Sequence, residues 1–335
     1  METSFELFGL TGYRLGLFAA VGVLALYAVM LMLGKRRSID PSSVSVLTIV
    51  AMAFGLVMSR LFYCLVNLSD FTEAYENPWL MLRFFDGGHS VAGLLCGMLL
   101  ALPVAAALTG KETGELADVL FVPMGILFCA LYLGQQDTGL GIGEIVEENA
   151  VTTAFPWLFL CERMGVNVEY RMLVYLYQAV ASLAIALVML PLYLRWQHQT
   201  GFRVGEAALV SLALYGSVMV VMESLRDDGH MLVIFLRIGQ VVAAVLPIAA
   251  LVTFSVRYRR LSGRTGTLCW LARAMAVLLV AGIAFLEFAL DGRLAVLDAS
   301  NGFYYAVMIL LCALAAATVM VLQHAVRKAR AASEA

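Results

Sequence analysis

The stretch FDGGHSVAGLLCGMLLALPVAAALT, residues 85–109, decides how the rest of the chain must be read. From Val91 to Thr109 it runs nineteen residues without a charge, and about 20 apolar residues are what a helix needs to cross ~30 Å of hydrocarbon. A backbone group left without a hydrogen bond costs several kcal/mol in that medium, so a continuous apolar run of this length reads as a membrane-spanning helix. The polar group Asp86-Gly87-Gly88-His89-Ser90 stands directly at its start. Paired glycines permit positive φ and close backbone approach, and the first N–H groups and dipole of a helix favour an anion. Gly93 and Gly97, one turn apart, read as a small-residue packing face of the same helix.

Eight further apolar stretches lie on either side, near 14–33, 44–66, 116–134, 172–194, 205–225, 231–256, 268–290 and 303–322. They are too long and continuous for the alternating strands of an outer-membrane barrel. The expected fold is therefore an all-α polytopic integral membrane bundle of about nine transmembrane helices. With 62% hydrophobic and 14% charged residues, the composition excludes an ordinary soluble enzyme, a nucleic-acid binder and a disordered chain. The first stretch reads as a permanent span and not a cleaved signal, because Glu2 and Glu6 precede it and Lys35, Arg36 and Arg37 follow it. The six cysteines form no CxxC pair and read as small buried hydrophobes.

The net charge is only −2, but the charges are not evenly placed. If the first loop is cytoplasmic, thirteen of the 22 basic residues fall inside, among them Lys35, Arg36, Arg37, Lys111, Arg195, Arg203, Arg257, Arg327, Lys328 and Arg330. That bias predicts nine crossings with the N-terminus outside and the C-terminus in the cytoplasm. Two long loops then face outward: 67–90, with Asp70, Glu73, Glu76 and Asp86, and 135–171, with Glu144, Glu147, Glu148 and Glu169. The inner loops are short, which places elaborated chemistry at the outer end. The basic loop 257–267 divides a seven-span unit, residues 1–256, from two additional spans and a basic tail, residues 257–335.

Charges inside or beside apolar stretches are costly and mark candidate sites. Arg60 lies deep enough in the second stretch to want a partner or a lipid phosphate. Glu223 and Arg226 are spaced i, i+3 and can share a helix face. Glu206, Arg237 and Arg273 are expected at membrane interfaces, where long side chains reach water. His89 is available as a general base with a near-neutral pKa. No Ser-His-Asp, HExxH or phosphate-loop pattern occurs.

Taken together, these segments resemble the prolipoprotein diacylglyceryl transferase family, bacterial inner-membrane enzymes that move a diacylglyceryl group from phosphatidylglycerol to a lipoprotein cysteine thiol. The resemblance covers roughly residues 1–256. Ser59-Arg60-Leu61-Phe62-Tyr63 with Asn67, followed by Asp86-Gly87-Gly88-His89-Ser90 and Gly93, is similar to the family's G-R-x-G-Y … Y-N and D-G-G-x-S-F-H-G-G order. Leu133-Gly134-Gln135 resembles R-x-G-N, and Leu214-Tyr215-Gly216 with Glu223 and Arg226 resembles Y-G-x-x-R-x-x-x-E-x-x-R. Gly239-Gln240 resembles S-x-G-Q.

The departures are specific. Ala92 stands at the family's histidine, while Tyr132 and Met219 stand at its two arginines, the groups thought to hold the phosphate leaving group. His89, three residues before Ala92, can offer an imidazole from a neighbouring position, and with Tyr215 and Glu223 it makes the candidate catalytic set; Arg60, Asp86, Gly87, Gly88, Ser90, Gln135 and Arg226 are the candidate lipid-binding residues. The resemblance further implies a phosphatidylglycerol-like phospholipid and a prolipoprotein as partners, with no metal or redox cofactor. A degenerate paralogue that binds lipid or lipoprotein without turnover is the alternative expectation.

Overall fold

The computed structural model describes residues 4–334 except 8–9, 70, 73–76, 85–86, 137, 165–166, 234–235, 264–265 and 293–299. Of the loop acids named above, Asp70, Glu73, Glu76 and Asp86 lie outside the described residues. Eleven α-helices are present among those described: α1 (Arg14–Arg36), α2 (Pro41–Val66), α3 (Val91–Thr109), α4 (Thr113–Phe121), α5 (Gly125–Leu133), α6 (Ala150–Ala154), α7 (Val174–Trp196), α8 (Glu206–Ser224), α9 (Ile238–Ser262), α10 (Thr267–Leu290) and α11 (Asn301–Glu334). Eight are long and apolar enough to cross a membrane, and the bent pair α4 and α5 passes the same test when taken together, which gives eight or nine candidate spans.

Three features differ from the sequence expectation. The fourth span is not continuous: α4 and α5 meet at 41° across Val122-Pro123-Met124, because a proline has no N–H to donate and its ring clashes with the preceding turn. The seventh begins at Ile238 instead of residue 231. Residues before it form a short hairpin, β6 (Leu232–Val233) against β7 (Leu236–Arg237), entered through Met231 at φ 58°. The ninth runs on to Glu334, about 50 Å at 1.5 Å per residue, so it projects well past the hydrocarbon at its C-terminal end.

Small sheets decorate the helical bundle at the end that carries the long loops. β1 (Ser4–Leu7) pairs with β2 (Leu10–Tyr13), and β3 (Ile145–Val146), β4 (Phe159–Met164) and β5 (Asn167–Met172) form a three-stranded sheet in the order β3-β5-β4. These short strands add to the all-α reading without altering the bundle.

Glycines set how closely the helices approach. A Cβ at Gly93 would lie 2.5 Å from the Met58 carbonyl oxygen, and one at Gly97 only 2.3 Å from that of Phe54, so α2 and α3 touch backbone to backbone. The packing face expected from the sequence is the one observed. The same device brings α8 onto α9, where a Cβ at Gly216 would meet the Ala243 oxygen at 2.3 Å.

α8 is surrounded by α4, α7, α9 and α11, and α10 covers α9 and α11. Glu206, expected at an interface, is instead fully buried at the start of α8. Arg257 at 3.4 Å and Arg330 at 2.7 Å compensate its charge, because a carboxylate withdrawn from water needs partners supplied by the chain. Arg273 lies over the Trp270 ring, 5.3 Å from its centroid.

Gly97→Val is expected to lower stability by about 1–3 kcal/mol or more through overpacking. Gly16→Ala, with nothing within 4 Å of the new methyl, should be neutral or slightly stabilising. Unfolding of both variants in mixed micelles checks the contrast, and equal midpoints would refute the close α2–α3 contact.

Candidate functional site

The site grows from the loop that opens α3. Gly87 and Gly88 have φ of 81° and 67°, the left-handed region that glycine enters without strain. A Cβ on Gly88 would sit 2.3 Å from the Tyr63 ring and 2.8 Å from Arg60 Nη1. Ser90 caps α3 by accepting from the Gly93 N–H at 3.2 Å, and Ser59 Oγ on α2 donates to the Ser90 carbonyl at 2.9 Å. Arg60 is buried. Its guanidinium donates to the carbonyls of Leu80 (2.9 Å), Met81 (3.1 Å), Gly88 (3.2 Å) and, most closely, Gly87. The deep arginine thus finds its partners in the loop backbone and ties residues 80–81 and 87–88 to α2.

Beyond this loop, a narrow cavity of about 40 Å³ opens between the start of α3, the end of α5, the second half of α8 and the start of α9. That volume holds only a few water molecules. His89, Ser90, Gln135, Tyr215, Glu223 and Arg226 all line it, so six of the sequence-derived candidates converge. Arg60, Gly87 and Gly88 are not among its lining residues, and Asp86 lies outside the described residues.

The charged wall is a buried web. Arg226 Nη1 lies 3.3 Å from Glu223 Oε1, as the i, i+3 spacing anticipated. Gln178 Nε2 donates to the same oxygen at 2.7 Å. The other Glu223 oxygen lies against the first turn of α9, where a Cβ on Gly239 would meet it at 2.7 Å. Asp228 joins the rest: Oδ2 accepts from Arg226 Nη2 (2.5 Å) and from the Gly141 N–H (2.6 Å), while Oδ1 accepts from Arg237 Nη1 (2.9 Å). Burial alone would raise the Asp228 carboxyl, but Arg226, the Gly141 N–H and Arg237 more than offset it and hold it below the usual carboxylate value. Arg237, expected to reach for an interface, is buried in this web and also donates to the Arg226 carbonyl at 2.7 Å.

Two histidines border the cavity. His89 Nε2 lies 2.9 Å from the Phe84 carbonyl oxygen, and His230 Nε2 lies 3.2 Å from the His89 carbonyl. A carbonyl only accepts, so each Nε2 carries the proton when the ring is neutral, and each Nδ1 keeps its lone pair. Burial holds both imidazoles below their usual pKa, with Arg60 adding to the effect at His89 and Arg226 at His230. His89 Nδ1 is buried and has no hydrogen-bond partner among the described residues, and the same holds for Gln135 Oε1.

The neutral wall is made where the sequence departs from the pattern it resembles. Tyr132 Oη lies 3.0 Å from Tyr215 Oη and 3.7 Å from Met219 Sδ. Ala92 faces the same cavity. All three departures therefore meet in one place. Sequence reasoning passed over Gln178, Asp228 and His230. The run Arg226-Asp227-Asp228-Gly229-His230, beginning three residues after Glu223, is the signal that marks the last two, while Gln178 on α7 carries none.

A family model described as prolipoprotein diacylglyceryl transferase matches residues 2–256. Similar curated proteins include the phosphatidylglycerol–prolipoprotein diacylglyceryl transferase of a Nostoc species, 30% identical over 255 residues that span 73% of this chain and 86% of the relative. The protein of that name from Bacillus licheniformis is 25% identical over 236 residues, 69% of this chain and 82% of its own length.

Asp228→Asn, which leaves two buried guanidinium groups short of a counter-charge, should cost about 3–5 kcal/mol. Asp227→Asn removes only a 3.6 Å pair with Arg171 from a side chain that is 56% exposed and should cost about 0–1 kcal/mol. Denaturant midpoints of the two variants, measured side by side, test whether Asp228 is the joint.

Proposed function

The chain belongs to the prolipoprotein diacylglyceryl transferase family, and from that membership and the geometry of its cavity we propose that it transfers a diacylglyceryl group from a phosphatidylglycerol-like phospholipid to a lipoprotein cysteine thiol. It is a multi-pass membrane protein of a bacterial inner-membrane family, and the basic-residue bias supports placing the cavity at the outer face. In the proposed step the thiol sulfur attacks a glycerol carbon of the lipid. The bond from that carbon to the phosphate-ester oxygen breaks, a thioether forms, and glycerol phosphate leaves.

The thiol proton goes to His89 Nδ1. One observation carries this assignment: His89, with a buried, unpartnered lone pair, and Ala92, where the family pattern has its histidine, line the same cavity. An imidazole supplied from three residues earlier substitutes for the missing one. A depressed pKa keeps it neutral near pH 7, the form a base requires. Ser90 and Gln135 offer polar contacts to the lipid head group. Tyr215 and Glu223 shape the cavity, and Arg226 supplies its positive charge. Arg60, Gly87 and Gly88 act on the lipid through the loop they hold, with Asp86 assigned to the same loop from sequence.

A second reading rests on a different observation. Tyr132 and Met219 touch each other in the positions of the two family arginines, and the remaining cation, Arg226, is already flanked by Glu223 and Asp228. Preorganised donors for the leaving group are commonly worth a few kcal/mol each. Their loss favours a paralogue that binds lipid or lipoprotein without turnover.

Expression in a strain depleted of its own transferase separates the two readings. The transferase reading expects a diacylglyceryl mass addition on a reporter lipoprotein, and absence of the addition despite normal membrane levels sinks it. His89→Ala should then lower the rate by about 10²-fold or more. A titration adds the sign: because burial stabilises the neutral ring, activity should rise with pH through a value below 6.5 and level off above it. A limb centred above 6.5 would assign the base elsewhere.

A further inference from the structure

The loop between α5 and α7 carries an apolar surface that takes no part in the cavity. Glu147 and Glu148 are exposed, and Asn149 after them closes a capping box. Its side chain accepts from the Val151 and Thr152 N–H groups at 2.8 and 3.1 Å, while Thr152 Oγ1 accepts from the Asn149 N–H at 2.8 Å. The box fixes the single turn of α6, and a 3₁₀ turn, Pro156–Leu158, follows it. Val151 and Phe155, four residues apart, are 54% and 48% exposed, and Trp157 is 65% exposed. The Phe155 and Trp157 rings meet edge to face with centroids 6.3 Å apart. Three large apolar side chains exposed together on one short, well-held segment mark an interaction surface.

The height of this segment is set by α7. The Leu158 carbonyl accepts from the Leu173 N–H at 3.3 Å and from Tyr177 Oη at 2.8 Å. Trp157 therefore stands one residue from a bond to the first turn of a helix long and apolar enough to cross the membrane. Residues three or four apart share a helix face, so Tyr177 heads a stripe of α7 on which Val180, Ala184, Leu187 and Val188 are all exposed. On a spanning helix such an apolar stripe is the face that meets lipid tails. The aromatic pair lies where that stripe ends, at the level of the head groups.

We propose that residues 151–157 are an interfacial anchor, with Phe155 and Trp157 seated in the head-group region of the adjacent leaflet. The surface is continuous with the lipid-facing stripe of α7, which argues for lipid over a second protein. An indole, with an apolar body and one N–H, is the side chain favoured at that depth. The chain also changes from Glu147-Glu148-Asn149 to Val151, Phe155 and Trp157 within a few residues, the polarity change of a segment that leaves water for the membrane surface. The excursion that carries it begins at Gly141, whose N–H bonds Asp228, and returns at Met172, whose carbonyl accepts from the Gly143 N–H at 2.8 Å. Its base is thus fastened to the charged wall of the cavity and its tip to the bilayer, which holds the loop at one height relative to the site. The anchor rests on the membrane setting of the bundle and not on the reaction proposed for the cavity.

The test uses the full-length chain in vesicles of phosphatidylglycerol and phosphatidylcholine, with tryptophan fluorescence recorded for wild type and Trp157→Phe. The substitution keeps an aromatic ring at an exposed position, so the fold is retained and the difference between the two spectra is the signal of Trp157 alone. That signal should be blue-shifted, shielded from acrylamide in the water, and should lose most of its intensity when the lipids carry bromines near the start of their acyl chains. Bromines at the chain ends should quench it less. Stronger quenching from the chain ends overturns the interfacial position. A red-shifted signal, open to acrylamide and indifferent to bromine at either depth, overturns the proposal outright. If shielding appears only when a synthetic lipoprotein signal peptide is added, or only when the protein is crowded at fixed lipid, the surface belongs to an apolar peptide or to a second copy of the chain, and the anchor falls.

Discussion

The carboxylate of Asp228 is the point through which the end of this protein that carries the long loops is held together. It takes Arg226 from the end of α8, Arg237 from the start of α9 and the Gly141 N–H from the loop after α5. Withdrawing three such charges from water costs several kcal/mol per ion, and the attraction repays that only when each remaining donor and acceptor is also satisfied. Here they largely are: Arg226 reaches Glu223 as well, and Arg237 also bonds the Arg226 carbonyl. The same saturation has a functional side. A guanidinium committed to two carboxylates contributes field to the cavity but has few donors left for a phosphate, so charge and availability are decoupled in Arg226.

That decoupling explains why the neutral wall matters. Tyr132, Tyr215 and Met219 form a separate part of the cavity wall, and they bond one another without any ion. Two hydroxyls that share a hydrogen bond are tolerated in an apolar environment far better than two arginines would be. A cavity lined this way costs less to fold and polarises a leaving group less. His89 pulls in the other direction, since its lone pair is the kind of unsatisfied buried acceptor that stable cores avoid and catalytic sites retain. The cavity therefore combines an unpartnered imidazole nitrogen with a guanidinium whose donors are already taken.

Much of this was legible in the sequence, and the residues show why the rest was not. Apolar runs announce spans because the bilayer imposes one length on all of them, and Gly93 and Gly97 announced their contact because i, i+4 small residues share a face. Glu223 and Arg226 are close in sequence, so their pairing followed from helix geometry alone. The partners of Arg60 and Glu206 did not. Backbone carbonyls at Leu80 and Gly88 leave no signature in a side-chain pattern, and Arg330 meets Glu206 across 124 residues. Pro123 was visible, but hydropathy averages across a three-residue break, so the bend between α4 and α5 was hidden.

The last two helices show how a boundary in sequence similarity need not be a boundary in structure. The family match stops at residue 256, yet α10 and α11 meet the preceding helices through polar contacts at several depths. Tyr305 Oη donates to Glu144 at 3.1 Å beside the three-stranded sheet, and Glu287 accepts from Gln240 at 2.6 Å on α9. Arg330 reaches Glu206 at 2.7 Å at the basic end. Gln240 follows Gly239, and Gly239 lies against Glu223 of the cavity wall. A hydrogen bond from α10 thus ends one residue from the site. In a membrane, where lipid tails compete equally for apolar surface, such polar points and close packing are what hold one helix pair against another. The added pair is therefore positioned to fix the angle at which α9 meets α8, and with it the width of the cavity between them.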